Sequence, residues 1–360
     1  MTLHHSIGRD PLEALIKGET LPDLLMARLL DPIYVSAERL AEAASDLTLA
    51  IHGNGVLVRG LLEITNICRN GCLYCGIRAG NNSVSRYCLD QQQIMDCCRE
   101  AYGLGFRTIV MQGGEHPTTD PMVADIVDQI TSTLPGCAVT LSLGERPHKV
   151  YEMWREAGAS RYLLRHETAS HYHYSSLHPT GMTLLTRLKC LESLRSLGYQ
   201  VGTGMMVGSP GQDLRCLLSD LRFIRQFRPE MVGIGPFIPH PATPLGHYPA
   251  GSVDTTLRLI SIIRLMLPSA NIPATTALAT LAPDGRRRGI LAGANVVMPN
   301  ISPARVRADY ALYSGKACLG AEAAEGLALL ADDLNLIGRS IDFSRGDFKP
   351  HAPQSFTHQS

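Results

Sequence analysis

The sequence predicts an α/β fold, a (βα)8 TIM barrel with an N-terminal helical extension and a C-terminal helix. Three observations predict this class. Short apolar stretches of strand type alternate with helical stretches, which is the pattern of a parallel sheet. Eight such strands can be counted along the chain, the number that closes a barrel. The chain has 360 residues, which suits a barrel of about 250 residues with extensions.

The predicted elements run from the first sixth of the chain to its last. Strands are predicted near Val56–Ile64, Thr108–Gln112, Ala138–Ser142, Tyr162–His166, Val201–Met206, Met231–Pro236, Ile272–Thr275 and Asn295–Met298. Helices are predicted near Leu89–Leu104, Pro121–Thr133, Lys149–Ala157, Leu184–Leu197, Leu214–Gln226 and Thr255–Met266. The last two strands have the weakest patterns, so an open barrel of six strands is the alternative architecture.

The predicted barrel is flanked by other segments. Residues 1–50 form the helical extension, with Ser36 as a helix N-cap in a partial capping box. Residues 51–318 form the barrel, and residues 319–342 hold an Ala- and Leu-rich helix near Ala321–Leu336. Residues 343–360 are polar and contain Pro350 and Pro353, which predicts a disordered tail.

Composition excludes several classes of partner. The 33 Lys and Arg residues balance 33 Asp and Glu residues, so no net field attracts nucleic acid or a membrane surface. No apolar run reaches the roughly 20 residues that span a bilayer, and residues 1–10 lack a signal-peptide core. Ten cysteines without a secretory signal favour a reducing compartment. The sequence thus predicts a cytoplasmic protein without nucleic-acid or membrane partners.

One short stretch carries the clearest chemistry. Cys68, Cys72 and Cys75 are spaced Cys-x3-Cys-x2-Cys, and Tyr74 directly precedes the last of them. Three thiolates on a short loop suit an iron–sulfur cluster. A [4Fe–4S] cluster has four irons, so one iron keeps an open position. The amino and carboxylate groups of S-adenosylmethionine (SAM) can chelate that iron. This motif resembles that of the radical SAM superfamily.

A structural zinc site is the competing interpretation of these cysteines. Such sites have four ligands that usually come from two pairs. No second Cys-x2-Cys follows in the chain, so the cluster is favoured.

Further candidates stand at the ends of the predicted strands, where barrel active sites lie. Gly113 and Gly114 let the backbone approach a ligand closely, and their peptide groups, with the neighbouring Glu115, could bind the SAM amine. Glu167 suits ribose hydroxyls or an amine, whereas the neighbouring Arg165 suits a carboxylate. A mutual ion pair between these two is the alternative.

Other strand-end residues complete the set. Arg187 could clamp the SAM carboxylate, and Met206 could flank the adenosyl group. Thr275 and Thr276 could hold a substrate carboxylate through their hydroxyls. Surface exposure, core packing and ordinary strand packing, respectively, are the plainer alternatives.

Longer runs resemble a narrower family, that of the [FeFe]-hydrogenase maturase HydE. They are 139–145, 161–169, 231–241, 271–276 and 293–300, and the resemblance extends from about Leu12 to Cys318. It implies a full barrel with a large cavity, and reductive cleavage of SAM to methionine and a 5′-deoxyadenosyl radical. It also implies assembly of the diiron subcluster from an iron–carbonyl–cyanide–cysteine species, with other hydrogenase maturation proteins as partners.

The resemblance assigns roles to residues that match the family's motifs. It implies that the cluster ligands are Cys68, Cys72 and Cys75. The implied SAM contacts are Thr140, Glu167, Arg187 and Met206. The residues implied to line the anion- or thiazolidine-binding part of the cavity are Arg165, Thr275, Thr276 and Tyr310. Two departures are visible. Gly113 stands where a serine is common, and Cys318 lacks the two later cysteines of a second cluster, whose positions are Gly326 and Leu329. We therefore expect one cluster.

Several alternative functions remain open at this point. Methylornithine synthase and biotin synthase are enzymes of the same subgroup, although the second sacrificial cluster of biotin synthase has no matching cysteine set here. A non-catalytic iron–sulfur scaffold and a zinc-stabilised binding protein belong to other classes.

Overall fold

The computed structural model describes residues 10–316 and 323–350. Within them the helices are α1 (Pro11–Ile16), α2 (Asp23–Leu30), α3 (Ala37–His52), α4 (Gln91–Gly103), α5 (Asp120–Thr133), α6 (His148–Glu156), α7 (His171–Leu177), α8 (Leu184–Ser196), α9 (Leu214–Phe227), α10 (Val253–Met266), α11 (Thr276–Leu281), α12 (Gly285–Leu291), α13 (Ala304–Arg307) and α14 (Ala323–Asn335). The strands are β1 (Gly55–Val58), β2 (Gly60–Thr65), β3 (Thr108–Gly113), β4 (Ala138–Ser142), β5 (Arg161–Leu163), β6 (Gln200–Thr203), β7 (Met206–Val207), β8 (Met231–Val232), β9 (Gly235–Pro236), β10 (Val296–Val297) and β11 (Ser340–Asp342). Cys318 and the predicted boundary after it lie outside the described residues.

The strands close into a ring that runs in one direction. Six of them pair in the parallel order β2-β3-β4-β5-β6-β8. Beyond β8, single parallel bridges join Met231 to Asn271 and Pro273 to Val296. β10 then pairs in parallel with β1, which leads into β2. The predicted eight-membered barrel is thus confirmed over the six-stranded alternative, although its seventh member is held by isolated bridges and not by a full strand.

Strand faces sort the side chains between two compartments. On β2, Leu62 and Ile64 pack in the core between the strands and the outer helices. Glu63, between them, lies on the opposite face, because successive strand residues alternate. It is fully buried and bonds to Asn300 and Lys316. A carboxylate inside the barrel was not expected from the apolar pattern of this strand.

The N-terminal extension packs along one side of the barrel. α3 contacts α10 and α12, and α2 contacts α9 and α10. The Ser36 hydroxyl caps α3 by accepting the Arg39 N–H at 3.3 Å, as the sequence predicts. None of the helices in the described ranges is long and apolar enough to cross a membrane.

The chain after β11 differs from the expectation of a disordered tail starting at residue 343. Residues 343–348 lie across the N-terminal opening of the barrel, and we call them the bottom strap. Asp347 accepts from the buried Arg161 guanidinium at 2.6 Å, which also donates to the Arg345 carbonyl. The Gly346 carbonyl accepts from Arg59. Two buried arginines thus order this polar segment, because their N–H groups need acceptors.

The bottom strap gives a first prediction. Asp347→Ala leaves the Arg161 charge buried without its carboxylate, so the free energy of unfolding should fall by roughly 3 kcal/mol, the lower end for breaking a buried ion pair. Urea denaturation of the metal-free chain measures it. Asp96→Ala removes a fully surface pair with Arg99 and should cost below about 0.5 kcal/mol. Equal losses in the two variants would contradict the role of the strap.

Candidate active site

Three cysteines occupy the loop that follows β2. Cys68, Cys72 and Cys75 are free thiols and half-buried. The Cys68 sulfur accepts backbone N–H groups from Asn70 at 3.5 Å and from Glu115 at 3.4 Å, contacts that favour a thiolate. Burial raises the pKa of all three thiols, that of Cys75 to about 12. Each thiol must therefore release a proton when metal binds.

The chemistry of these sulfurs suits a cluster. Within residues 10–316 and 323–350, no three His, Cys, Asp or Glu side chains surround a single metal-ion position. A [4Fe–4S] cluster needs a wider arrangement, because each thiolate binds a separate iron. Cys72 lies close enough to Cys68 and Cys75 for the three thiolates to repel one another. A positively charged cluster core relieves that repulsion, so the donor set fits the group.

Arg86 holds the cysteine loop in shape. Its guanidinium donates to four carbonyls on or beside the loop, those of Asn66, Ile77, Arg78 and Asn81, at 2.6–3.0 Å. Sequence reasoning missed this residue, because a single arginine outside any motif carries no spacing signal.

The loop after β3 packs directly against the cysteine loop. A Cβ at Gly114 would lie 2.3 Å from the Ile67 carbonyl oxygen, so only glycine fits there. The buried Glu115 carboxylate accepts from the Glu145 N–H at 2.8 Å and from Arg69 at 3.3 Å. These contacts engage both carboxylate oxygens within the protein. Glu115 therefore anchors the loop, and its expected role as a cofactor ligand stays a prediction.

Arg187, in the first turn of α8, is buried and not on the surface. Its Nε donates to the Glu145 carboxylate at 2.5 Å, and its Nη1 donates to the Arg165 carbonyl at 2.7 Å. It is also close enough to Cys72 to stabilise that thiolate. The guanidinium therefore faces the cysteine loop with a fixed orientation. The sequence did not point to Glu145, which orients this guanidinium, although Glu145 directly follows Gly144 in the loop after β4.

Glu167 follows β5 and has an unusual backbone conformation. Its φ is 65°, in the left-handed region that few non-glycine residues adopt. Its carboxylate lies near Cys72 and Cys75, whose pKa values it raises. Arg165 approaches its Oε2 at 2.9 Å, yet this oxygen makes no hydrogen bond within the described part of the chain. The predicted alternative of a mutual ion pair is thus present, with one oxygen left for a ligand.

Comparisons with known proteins agree with this geometry. A family model for the radical SAM superfamily matches residues 62–224. The [FeFe] hydrogenase maturase subunit HydE of Thermotoga maritima is 42% identical over 333 residues, which cover 92% of this chain and 95% of that protein. The chain belongs to the HydE family of radical SAM proteins.

Two solved structures share the fold. A crystal structure of methylornithine synthase (PylB) superimposes with a TM-score of 0.80 and 26% identity, over 92% of this chain and 97% of that one. The FeFe-hydrogenase maturase HydG from Carboxydothermus hydrogenoformans superimposes with a TM-score of 0.76 and 20% identity, over 92% and 78%. At that identity, the HydG match supports the fold alone.

Family membership fixes the cofactors. The protein is a radical SAM enzyme that uses a [4Fe–4S] cluster and SAM and acts on a small-molecule substrate. We call the loop with Cys68, Cys72 and Cys75 the cluster loop, and the Glu167 carboxylate and the Arg187 guanidinium lie beside it.

An apolar and aromatic group covers the cluster loop. The buried Met206 packs with Leu177 and Phe237, and Tyr74 packs against them. The Tyr74 hydroxyl donates to His178 Nε2 at 3.4 Å, because Nδ1 of that ring donates to the Tyr174 carbonyl at 2.9 Å. Met206 and Tyr74 therefore lie together, and His178 is an additional residue that the sequence did not reveal.

The remaining predicted residues lie in or near the barrel interior. A small cavity is lined by Thr140 together with Arg59, Met231 and Asn271. The buried hydroxyls of Thr140 and Thr275 have no hydrogen-bond partner within the described residues. Tyr310 is buried, and its hydroxyl accepts from Gln112 at 3.3 Å. Thr276, half-buried, begins α11.

Arg86 gives the second prediction. Arg86→Ala removes four charge-assisted hydrogen bonds, so the cluster loop should loosen and iron content after anaerobic reconstitution should fall below about half of the wild-type value. The free energy of unfolding of the metal-free chain should fall by about 3 kcal/mol. Iron and sulfide analysis checks the first effect. Arg99→Ala, which removes an exposed arginine, is the matched control, and equal iron content in both variants would contradict the anchoring role.

His178 gives a third prediction. Burial lowers its pKa to about 4, from about 6.5 in an unfolded chain. Between these values the unfolded chain binds a proton that the folded protein does not, so stability is lost as pH falls through this window. His178→Gln should therefore reduce the loss between about pH 7.5 and about pH 5 by about 2 kcal/mol. Urea denaturation at both pH values measures this difference in stability. His247→Gln replaces an exposed histidine, serves as the control and should leave the pH dependence of stability unchanged.

Proposed function

We propose that this protein is a maturase of [FeFe]-hydrogenase that acts on an iron–carbonyl–cyanide–cysteine precursor of the diiron subcluster, together with other hydrogenase maturation proteins. The observation that carries the proposal is the 42% identity to Thermotoga maritima HydE over 92% of the chain. The match covers nearly the whole chain, so it includes the strands and strand ends that line the cavity as well as the cluster loop.

The residues around the cluster loop have separate tasks in this proposal. When bound, the cluster and SAM supply one electron and a 5′-deoxyadenosyl radical. Cys68, Cys72 and Cys75 hold the cluster. Arg187 holds the SAM carboxylate, with Glu145 fixing the guanidinium. Glu167 accepts hydrogen bonds from the ribose hydroxyls or the amine through Oε2, which contacts Arg165 but makes no hydrogen bond within the described residues.

The barrel interior receives the substrate. Arg165 offers a cation at the cluster side, and Thr275, Thr276 and Tyr310 offer hydroxyls. Thr140, which is expected to contact SAM, adds a hydroxyl to the same interior. Two of these hydroxyls are buried without a partner within the described residues, and such groups are costly unless a ligand or water satisfies them. A polar, anionic metal–carbonyl–cyanide species suits this set. Gly113 and Gly114 shape the wall beside Cys68, with Gly114 in contact with the cluster loop.

A second candidate function is methylornithine synthesis. It is favoured by the superposition on methylornithine synthase, which covers 97% of that chain with a TM-score of 0.80. Both proposals use the same cofactors and differ in the content of the cavity. Conversion of lysine to an isomer would support this candidate over maturation.

The cluster loop gives the fourth prediction. Cys68→Ala should abolish 5′-deoxyadenosine formation from SAM under dithionite, a decrease of at least about a hundredfold, because the cluster loses a ligand. Chromatography of the anaerobic reaction measures the product. Cys88→Ala, an exposed free cysteine outside the motif, should retain full turnover. Product formation by the Cys68 variant would contradict the assignment.

The maturase proposal is tested with the same two variants. Anaerobically reconstituted protein is added to a hydrogenase maturation mixture that lacks only this component, and hydrogen uptake is measured. Wild-type protein and Cys88→Ala should restore activity, whereas Cys68→Ala should not. Equal restoration by Cys68→Ala would favour a non-catalytic scaffold, and no restoration by wild-type protein would reject the maturase proposal.

A further inference from the structure

Glu167 has a backbone conformation that its neighbours must hold. Among the described residues, Glu167 and Arg228 are the non-glycine residues with positive φ, 65° and 51°. Arg228 caps the end of α9, where the left-handed conformation is common. Glu167 ends no helix. A Cβ disfavours this conformation, so the surrounding structure has to impose it.

The backbone of Glu167 is paired on both sides. Its N–H donates to the Gly204 carbonyl at 3.0 Å, and its carbonyl accepts from the Met206 N–H at 3.0 Å. Gly204 itself has no space for a side chain, since a Cβ there would lie 1.9 Å from the Gly233 carbonyl oxygen. The turn is therefore fitted closely to the end of β6.

A row of buried side chains, those of Thr203, His166 and Asp220, supports the same turn from outside the barrel. The Thr203 hydroxyl accepts the His166 backbone N–H at 3.2 Å and lies 2.9 Å from His166 Nδ1. On the other side of the ring, Nε2 lies 3.3 Å from Asp220 Oδ1 on α9. This last approach lacks hydrogen-bond alignment, since Nε2 makes no hydrogen bond within the described residues. It is an electrostatic contact.

Asp220 also contacts the residue two places after Glu167. Its Oδ1 accepts the Ala169 backbone N–H. Both His166 and Asp220 have no solvent exposure, and the His166 ring packs edge-on against Phe223 at 4.7 Å. Asp220 therefore contacts the turn on both sides of Glu167, at His166 and at Ala169, and its position on α9 fixes both contacts.

We propose that His166 and Asp220, with Thr203, are positioning residues that hold Glu167 in its left-handed conformation and thereby aim its carboxylate at SAM. The inference rests on the proposed role of Glu167 in binding SAM. None of the three residues faces the cluster loop, so they act through the Glu167 backbone. A buried polar group of this kind is costly to keep, and the fixed carboxylate is the result that accounts for it.

The test measures SAM affinity by calorimetry on the anaerobically reconstituted full chain, with the EPR spectrum of the reduced cluster in the presence of SAM as a second readout. Asp220→Ala should weaken SAM binding about tenfold and alter the SAM-dependent change in the spectrum. Asp220→Asn keeps an acceptor for the Ala169 N–H and should lose less than about threefold. Thr203→Val gives an independent variant in case Asp220→Ala does not fold.

A double-mutant cycle separates positioning from general destabilisation. In a Glu167→Gln background, Asp220→Ala or Thr203→Val should cause no further loss of SAM affinity. Asp347→Asn, at the opposite end of the barrel, should lower the melting temperature and leave SAM affinity unchanged. Full additivity in the Glu167→Gln background, or wild-type affinity in both Asp220→Ala and Thr203→Val, would overturn the inference.

The SAM-binding role of Glu167 and the positioning role of Asp220 and Thr203 can be rejected separately. If Glu167→Gln alone leaves SAM affinity unchanged, the proposed role of Glu167 is rejected and the inference with it. If Glu167→Gln weakens binding while Asp220→Ala and Thr203→Val do not, only the positioning role is rejected.

Discussion

The direction of the strands is the constraint on which the site depends. All eight members of the ring run in parallel, so every strand ends at the same rim. Residues that are far apart in sequence, such as Cys68, Glu145 and Arg187, therefore meet there. The ring also has no free edge among its eight members, which leaves its loops free to vary without exposing unpaired strands.

The rim is then fixed by a continuous series of polar contacts. Arg69 contacts Glu115, whose carboxylate accepts from the Glu145 N–H, and the Glu145 carboxylate accepts from Arg187. Arg187 in turn donates to the carbonyl of Arg165. The first three contacts join the connections that follow β2, β3, β4 and β5, and the last one lies within the connection that follows β5. Buried ion pairs add little net stability because desolvation opposes them, but they select one arrangement of the loops, and a ligand site needs that.

The sequence predicts the parts of this protein that depend on local pattern. The alternation of strand and helix patterns predicts the barrel, and the close spacing of Cys68, Cys72 and Cys75 predicts the cluster loop. Partners chosen by the fold are not predictable in this way. Arg86 donates to four carbonyls, Glu145 in the loop after β4 orients a guanidinium on α8, and Glu115 is engaged within the protein although its position suggests a ligand.

The same reasoning explains why the polar C-terminal segment was taken for a disordered tail. Residues 343–348 contain little to bury, so composition predicts disorder. Their order comes from Arg161 and Arg59, whose buried guanidinium groups need the carbonyls and the carboxylate that this segment supplies.

The bottom strap also bears on the chemistry. It closes the N-terminal end of the barrel beneath the cavity lined by Arg59 and Thr140. At the other end, the Gly76 N–H of the cluster loop donates to the Leu312 carbonyl, and Lys316 reaches inward to Glu63. A radical enzyme needs this enclosure, because a primary radical reacts with whatever reaches it first. By ordering the strap, Arg59 and Arg161 hold the segment that covers this cavity from the N-terminal end of the barrel.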